Sequence, residues 1–323
     1  MAAAIFMIAL AGVWGTMALW FRFPGPEAVR MSVCAVFALA ACAAIIAQFG
    51  SRRFRALGVF AVAFAGLLVW WATITPPKEG NWAPDVARQV TGTIEGEVLT
   101  LTNVREFEWR TTEDFSEHWT TRSFDLSKLQ TVDMFMSYWA GPGIAHSVMS
   151  FGFEGEEYLA WSVEVRREIG TVYSPVADMF KANTIVIVAS AEEDVVGLRS
   201  NARGEDVQLF RLRTPPEEAR ALLEEYVRDA NRLAEQPRWY HSVTTNCTTV
   251  IFKMMDAIGT APPLDWRIFL NGYLPDFGYE RGAVNTDIPL SELRELGRIA
   301  PRAIKAGLGP GYSTAIRVGV PVP

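Results

Sequence analysis

The sequence predicts an α+β protein: three membrane-spanning helices, then an exported domain built on an antiparallel sheet with a cysteine-bearing helix. Three observations lead there. The first 75 residues hold three uncharged apolar runs of bilayer length. From residue 91 the chain turns to β-branched and aromatic segments separated by glycine or acidic turns. Behind them come two stretches with apolar residues at helical spacing, the second beginning at Cys247.

The apolar runs are residues 2–21, 31–49 and 57–75. The chain lacks the early Lys or Arg of a cleavable leader and repeats the apolar pattern twice more, so the runs are expected to stay as an anchor. Arg52, Arg53 and Arg55 lie between the second and third runs. The positive-inside rule puts that loop in the cytoplasm and everything after Thr75 outside. Arg22 and Arg30, partly offset by Glu27, then fall in the outer loop.

Thr75-Pro-Pro-Lys-Glu-Gly-Asn-Trp reads as a short linker, because its two prolines stop the helix. TGTIEGEVLTLTNVREFEWR, TVDMFMSYWA, IAHSVMSFGF, YLAWSVEVRRE, NTIVIVAS and VQLFRLR follow as strands. Thr214 is placed to cap a helix running to about Gln236, with Ala219, Leu222, Leu223, Tyr226, Val227 and Ala230 on its apolar face. After about Asp276 the chain reads as an irregular tail with one short helix near 291–296. The expected divisions are an anchor at 1–76, linker and first strands at 77–110, the catalytic domain at 111–290, and a C-terminal tail at 291–323.

Composition narrows the function classes. Half of the 323 residues are hydrophobic and the formal net charge is −6, which argues against a nucleic-acid binder. Cys34 and Cys42 fall in the second apolar run and read as small packing groups. The exported part then holds one cysteine, Cys247, and the chain holds three histidines. That set gives no metal-ligand spacing, and no metal or cofactor is expected.

Val250, Ile251, Met254, Met255 and Ile258 follow Cys247 at the offsets of a core-facing helical stripe. Thr244, Thr245 and Asn246 are each capable of capping that helix, and Gly259 is placed to end it. Cys247 is thus either the first core residue of the helix or a thiol poised at a helix N-terminus, where the dipole and unpaired N–H groups favour the thiolate.

A nucleophilic thiol needs a base. His118, in TTEDFSEHWTTR, reads as a solvated loop residue. Tyr240 and His241, in the WYHSVTTN stretch just ahead of Cys247, are candidates to line a site. His146 lies in a strand whose alternation sets Ser147, Met149, Phe151 and Phe153 on one face and His146, Val148 and Ser150 on the other. The next strand carries Leu159, Trp161, Val163 and Val165 on its apolar face, with Ser162, Glu164 and Arg166 opposite. Matching the apolar faces across a three-residue turn at Glu154-Gly155-Glu156 gives paired numbers that sum to 310. That register sets His146 against Glu164; a slip by one pair substitutes Ser162 or Arg166. A carboxylate at cross-strand distance can fix the imidazole tautomer. Arg166 is expected to face the histidine and either bind a phosphate or pair with Glu164.

Ala145-His146-Ser147, Ser150-Phe151-Gly152-Phe153, Ser162-Val163-Glu164-Val165-Arg166-Arg167-Glu168 and Thr245-Asn246-Cys247-Thr248-Thr249 together resemble the Lnb N-terminal periplasmic domain family. More broadly, a strand histidine about a hundred residues ahead of an Asn-Cys helix start resembles the circularly permuted branch of the NlpC/P60 papain-like superfamily. The resemblance covers roughly residues 110 to 290 and implies a permuted papain-like fold with Cys247 as nucleophile and His146 as base. It further implies a bacterial inner-membrane protein with its domain in the periplasm. The chain departs from lecithin:retinol acyltransferase-type enzymes after the cysteine, with Asn-Cys-Thr-Thr in place of Asn-Cys-Glu-His, so their substrates do not transfer.

The resemblance, being to proteins implicated in N-acylating bacterial lipoproteins, implies a thiol acyltransferase that moves an acyl chain from a phospholipid to the N-terminal amine of a lipoprotein through a Cys247 thioester, with His146, Glu164, Ser162, Arg166, Asn246, Tyr240 and His241 expected around it. An NlpC/P60-like cysteine peptidase or amidase acting on cell-wall peptides, and a non-enzymatic membrane scaffold with Cys247 in its core, are the alternatives. Trp266, Phe269 and Tyr273 either form an apolar wall near the site or simply pack, and packing is the expectation, as large aromatics usually do. Gly141-Pro142-Gly143 reads as a break before the His146 strand.

Overall fold

The computed structural model describes residues 1–323. The chain divides into two compact units, the first being Met1–Pro77 with the later stretches Tyr173–Thr184 and Trp239–Ser242, and the second the remainder.

In the first unit, α1 (Ala2–Arg22), α2 (Glu27–Ala47) and α3 (Arg53–Thr73) are each long and apolar enough to cross a membrane. The second and third helices start earlier than the apolar runs. Glu27, Arg30, Arg53 and Arg55 lie within their first turns, where long charged side chains can reach the interface while the backbone stays helical. Small residues bring the helices together: a Cβ at Gly12 would press on Ala41, and one at Gly15 on Phe37 and Leu67. Cys34 packs as expected, with Sγ 3.5 Å from the Thr16 carbonyl oxygen, whereas Cys42 is exposed.

The two later stretches complete this unit. After the single turn α4 (Pro175–Asp178), the Phe180 ring stacks on Phe21 and meets Trp14 and Trp71. Lys181 Nζ donates to the carbonyls of Trp71 and Ile74 at 2.7 and 3.1 Å, placing its charge at the negative end of α3. The Arg22 guanidinium lies 5.0 Å from the centre of the Trp239 ring.

The second unit is built on an eight-stranded sheet of β1 (Thr91–Glu95), β2 (Val98–Arg105), β5 (Trp119–Asp125), β6 (Leu129–Tyr138), β7 (Ala145–Phe153), β8 (Glu157–Arg166), β9 (Thr184–Ser190) and β10 (Asp206–Arg211). A separate pair, β3 (Glu108–Trp109) and β4 (Phe115–Ser116), lies beside it. The strand order is β1-β2-β9-β8-β7-β6-β10, with β5 also on β2. Most pairings are antiparallel, but β2 meets β9 in parallel at Arg105↔Ser190. The sheet is therefore mixed rather than purely antiparallel.

Helices cover the sheet. They are α5 (Glu192–Gly197), α6 (Pro216–Glu235), α7 (Cys247–Ala257), α8 (Leu274–Glu280), α9 (Leu290–Gly297), α10 (Ala300–Ala306) and α11 (Tyr312–Arg317). Val148, Ala160 and Phe135 bury one face against Val195 and Val196 of α5, Ala303 of α10, and Tyr312 and Ile316 of α11. On the other face Phe151 and Trp161 pack on Tyr226 of α6, the two rings at 6.0 and 5.2 Å from it. The α6 helix starts at Pro216 with Pro215 in the cap position, so Thr214 is not its cap.

Two expected divisions do not match this architecture. Residues 77–110 are not set apart, because β1 and β2 belong to the same sheet as the later strands. Nor is 291–323 an irregular tail. Arg317 of α11 is buried, donating at 2.7 Å to Asp133 of β6 and at 2.6 Å to Glu192 of α5, so the last helices close the core. Gly307, Gly309, Pro310 and Gly311 break this region into helices too short to show a period in the sequence.

Candidate active site

The β7–β8 hairpin carries half of the site. Glu154, Gly155 and Glu156 form the three-residue turn, and Gly155 and Glu156 adopt positive φ. The ladder runs from Phe153↔Glu157 to Val148↔Ser162, so paired numbers sum to 310, the register expected from the apolar faces. It stops there. Ala145, His146 and Ser147 remain paired to Tyr138, Ser137 and Met136 of β6, but their β8 side is open.

Helix α7 carries the other half. Asn246 is its cap: Oδ1 accepts from the backbone N–H groups of Thr248 and Thr249 at 3.1 and 2.9 Å, and Thr249 Oγ1 accepts in return from the Asn246 N–H at 2.9 Å. This reciprocal arrangement fixes the residue after it, Cys247, at the first helical position. Val250, Ile251 and Met254 are buried with it, and Gly259, at φ 75°, follows the last turn. Cys247 is 5 % exposed.

The sulfur meets β7 at its open end. Cys247 Sγ lies 3.9 Å from Thr248 Oγ1 and 3.8 Å from Asn271 Nδ2, and the His146 ring and Ser147 are near enough to lower its thiol. On the far side of the ring, His146 Nε2 is 2.7 Å from Ser162 Oγ and 3.3 Å from Glu164 Oε1. Ser162 Oγ donates to Glu164 Oε1 at 2.6 Å, so it accepts the Nε2–H of the ring. Nδ1 is the nitrogen left for Cys247. Arg199, from the π-helical turn Leu198–Ala202, donates to the same Glu164 oxygen at 2.7 Å and is itself buried.

These contacts set the charges. Burial pushes the Cys247 thiol up, but the adjacent His146 charge and the hydrogen bonds to His146 and Ser147 outweigh it and bring it to about 6. Burial and Arg199 press the imidazolium down, whereas Glu164 and the Cys247 thiolate raise it, to about 9. Burial also penalises the Glu164 carboxylate; Arg199, His146 and Ser162 prevail and hold it well below the usual carboxylate range. These shifts favour a thiolate–imidazolium pair backed by a carboxylate.

One expected site residue falls elsewhere. The Arg166 guanidinium donates to the carbonyls of Val86 and Ala87 at 3.2 and 2.6 Å and lies over Trp82, not against His146. Glu164 takes its cation from Arg199, a residue no strand pattern singles out, so Arg166 is neither the partner of Glu164 nor a residue at the histidine. Tyr240 and His241 belong to the unit that contains the membrane helices. His118 is an exposed loop residue, as its polar surroundings in the chain imply.

Asn271 is a site residue that no sequence pattern points to. It lies in the 3-10 turn Asn271–Tyr273, 6 % exposed, with Nδ2 2.8 Å from Thr248 Oγ1 and 3.8 Å from Cys247 Sγ. Gly272 lets this turn close: its N–H donates to Gly143 at 3.1 Å, and a Cβ there would overlap the Pro142 carbonyl. The one sequence signal is the Asn-Gly pair itself, which reads as an ordinary turn.

Large apolar side chains are exposed on the segments that lead into β7 and that precede Asn271. Trp139 and Ile144, in the connection before β7, are 49 % and 48 % exposed, and Trp266 and Phe269 are 57 % and 45 % exposed. Trp266 and Phe269 are thus largely exposed rather than buried, although Trp266 meets Tyr273 with ring centres 5.5 Å apart.

The unit is thus an α+β domain with a cysteine–histidine–carboxylate constellation, preceded by apolar helices of membrane-spanning length. The family model described as the Lnb N-terminal periplasmic domain matches residues 115–272, and this segment belongs to that family. The matched span contains His146, Ser162, Glu164, Arg199, Cys247 and Asn271. No curated protein and no solved structure matches the chain.

Proposed function

We propose that this is a membrane-anchored thiol acyltransferase of the bacterial inner membrane, with its Cys247 site in the periplasm. It takes an acyl chain from a phospholipid as a Cys247 thioester and passes it to the N-terminal amine of a lipoprotein. The observation that carries the reading is the Cys247–His146 pair, with shifts that favour thiolate and imidazolium, together with the exposed Trp139, Ile144, Trp266 and Phe269. Polar peptide substrates need no such apolar border. The three spans support supply of the donor from the bilayer, and the family description supports the periplasmic side.

The chemistry follows from the charges. The Cys247 thiolate attacks the ester carbonyl, with the N-terminus of α7 and the Cys247 N–H favouring the developing oxyanion. As the C–O bond breaks, His146 gives its proton to the departing lysophospholipid oxygen, leaving an acyl thioester and a neutral imidazole. The free amine of the acceptor then attacks the thioester. His146 takes the proton that nitrogen loses, and the thiolate leaves, restoring the ion pair and releasing the amide. Ser162 and Glu164 hold the ring throughout, and Glu164 favours its protonated form.

The test is incubation of the full chain with vesicles containing acyl-labelled phospholipid. Hydroxylamine-labile label on Cys247 that moves to an added lipopeptide amine is expected. No label on Cys247, together with cleavage of cell-wall peptides, would replace this reading with the peptidase one.

A further inference from the structure

The geometry points to Asn271 as the positioning residue that holds the start of the histidine strand against the start of the cysteine helix. The inference rests on the reading of Cys247 as a nucleophile paired with His146.

The open end of β7 explains why such a residue is needed. Beyond Val148↔Ser162 the β8 ladder stops, so the backbone of Ala145 lacks a β8 partner on that side. Asn271 supplies both missing bonds: Oδ1 accepts from the Ala145 N–H at 2.9 Å and Nδ2 donates to the Ala145 carbonyl at 2.6 Å. A side-chain amide here makes the two-bond exchange of a paired strand residue. The same Nδ2 donates to Thr248 Oγ1 in the first turn of α7 and lies 3.8 Å from Cys247 Sγ. One buried group therefore joins the residue before His146 to the residue after Cys247.

The opposed bonds to Ala145 fix the amide orientation, since a flipped Asn271 would set donor against donor and acceptor against acceptor. They also commit its donors to protein atoms, which makes Asn271 a positioning group rather than one that touches substrate. Its turn is itself braced: Tyr138 Oη donates to the Gly272 carbonyl at 2.8 Å, and Gly272 donates to Gly143 in the connection leading into β7. Loss of the clamp would let β7 and α7 separate where His146 and Cys247 interact.

The test follows the rate of iodoacetamide alkylation of Cys247 against pH, read by mass spectrometry of its peptide, in the full chain in detergent. No acyl substrate is involved. Wild-type protein is expected to show a midpoint near 6. Asn271→Ala is expected to raise it by at least about one unit, and Asn271→Asp further, because a carboxylate beside the sulfur opposes the thiolate. A lowered melting temperature with an unmoved midpoint would reduce Asn271 to a structural residue and overturn the inference. Should Asn271→Ala fail to fold, Thr248→Val decides: it removes the Asn271 link to α7 along with the longer contacts of the Thr248 hydroxyl to Ser147 Oγ and Cys247 Sγ, and an unchanged midpoint there overturns the inference equally. A wild-type midpoint in the ordinary thiol range would sink the Cys247–His146 reading along with it. Shifted midpoints without acyl-enzyme formation would leave Asn271 standing and remove the acyl-transfer reading alone.

Discussion

His146 and Glu164 face each other just beyond the last paired residues of β7 and β8, with Nε2 3.3 Å from Oε1 and the Ser162 hydroxyl bridging them. The carboxylate therefore acts on the thiol at one remove, by keeping the ring between them charged and oriented.

That arrangement sets the pH range of reactivity. With Cys247 lowered to about 6 and His146 raised to about 9, the thiolate is present above the first value and the imidazolium below the second. Acyl-enzyme formation should rise through about pH 6, hold a plateau, and fall through about pH 9. His146→Asn should move the alkylation midpoint of Cys247 upward toward an ordinary thiol, near 8.5. A profile unchanged by that substitution would mean that His146 does not govern the sulfur.

Cys247→Ser changes one atom in a buried, well-capped position, so the melting temperature should stay within a few degrees. Acyl transfer should drop by at least about 10³-fold, since the serine hydroxyl keeps the site's shape but not its ionised nucleophile. Retention of activity would instead support a packing role for the cysteine.

Glu164→Gln removes the counter-charge of Arg199, which is 5 % exposed, and of His146 together. Leaving a buried guanidinium unpaired costs about 3–5 kcal/mol, measurable by denaturant unfolding. The His146 value should fall as well, bringing the alkaline limb of the pH profile below 9. Pairing Glu164→Gln with Arg199→Met should recover stability and, because Arg199 presses the imidazolium down, also bring the alkaline limb back up.

Trp266→Ser with Phe269→Ser should leave iodoacetamide alkylation of Cys247 unchanged while reducing label uptake from phospholipid vesicles at least about tenfold. Both side chains are exposed, so the fold should tolerate the pair. Equal loss of both readouts would place these residues in the support of the site rather than at its border.

The β7–β8 hairpin is legible in the amino-acid sequence because a buried face and period-two alternation allow only even-sum registers, among which the three-residue turn favours 310. The same logic reaches Glu164 and Ser162. It fails for Arg166, whose position on the correct face of β8 does not decide where a long side chain ends: the Val86 and Ala87 carbonyls capture it. Arg199 and Asn271 escape for a related reason, since each sits in an irregular turn without periodicity and gains its role from contacts with residues far off in the chain. The asparagine cap ahead of Cys247 is one of three equivalent candidates, and only the closed box with Thr249 selects it.

The two stretches that join the membrane helices bear on how the protein can be handled. Phe180 and Lys181 come from between β8 and β9, and Trp239 from the segment leading toward Cys247, yet their partners are Trp14, Phe21, Arg22, Trp71 and Ile74. A recombinant fragment starting at residue 78 would keep these side chains and lose what they pack on. Such a truncation is expected to be poorly soluble, and the route to purified material runs through extraction of the whole chain from the bilayer.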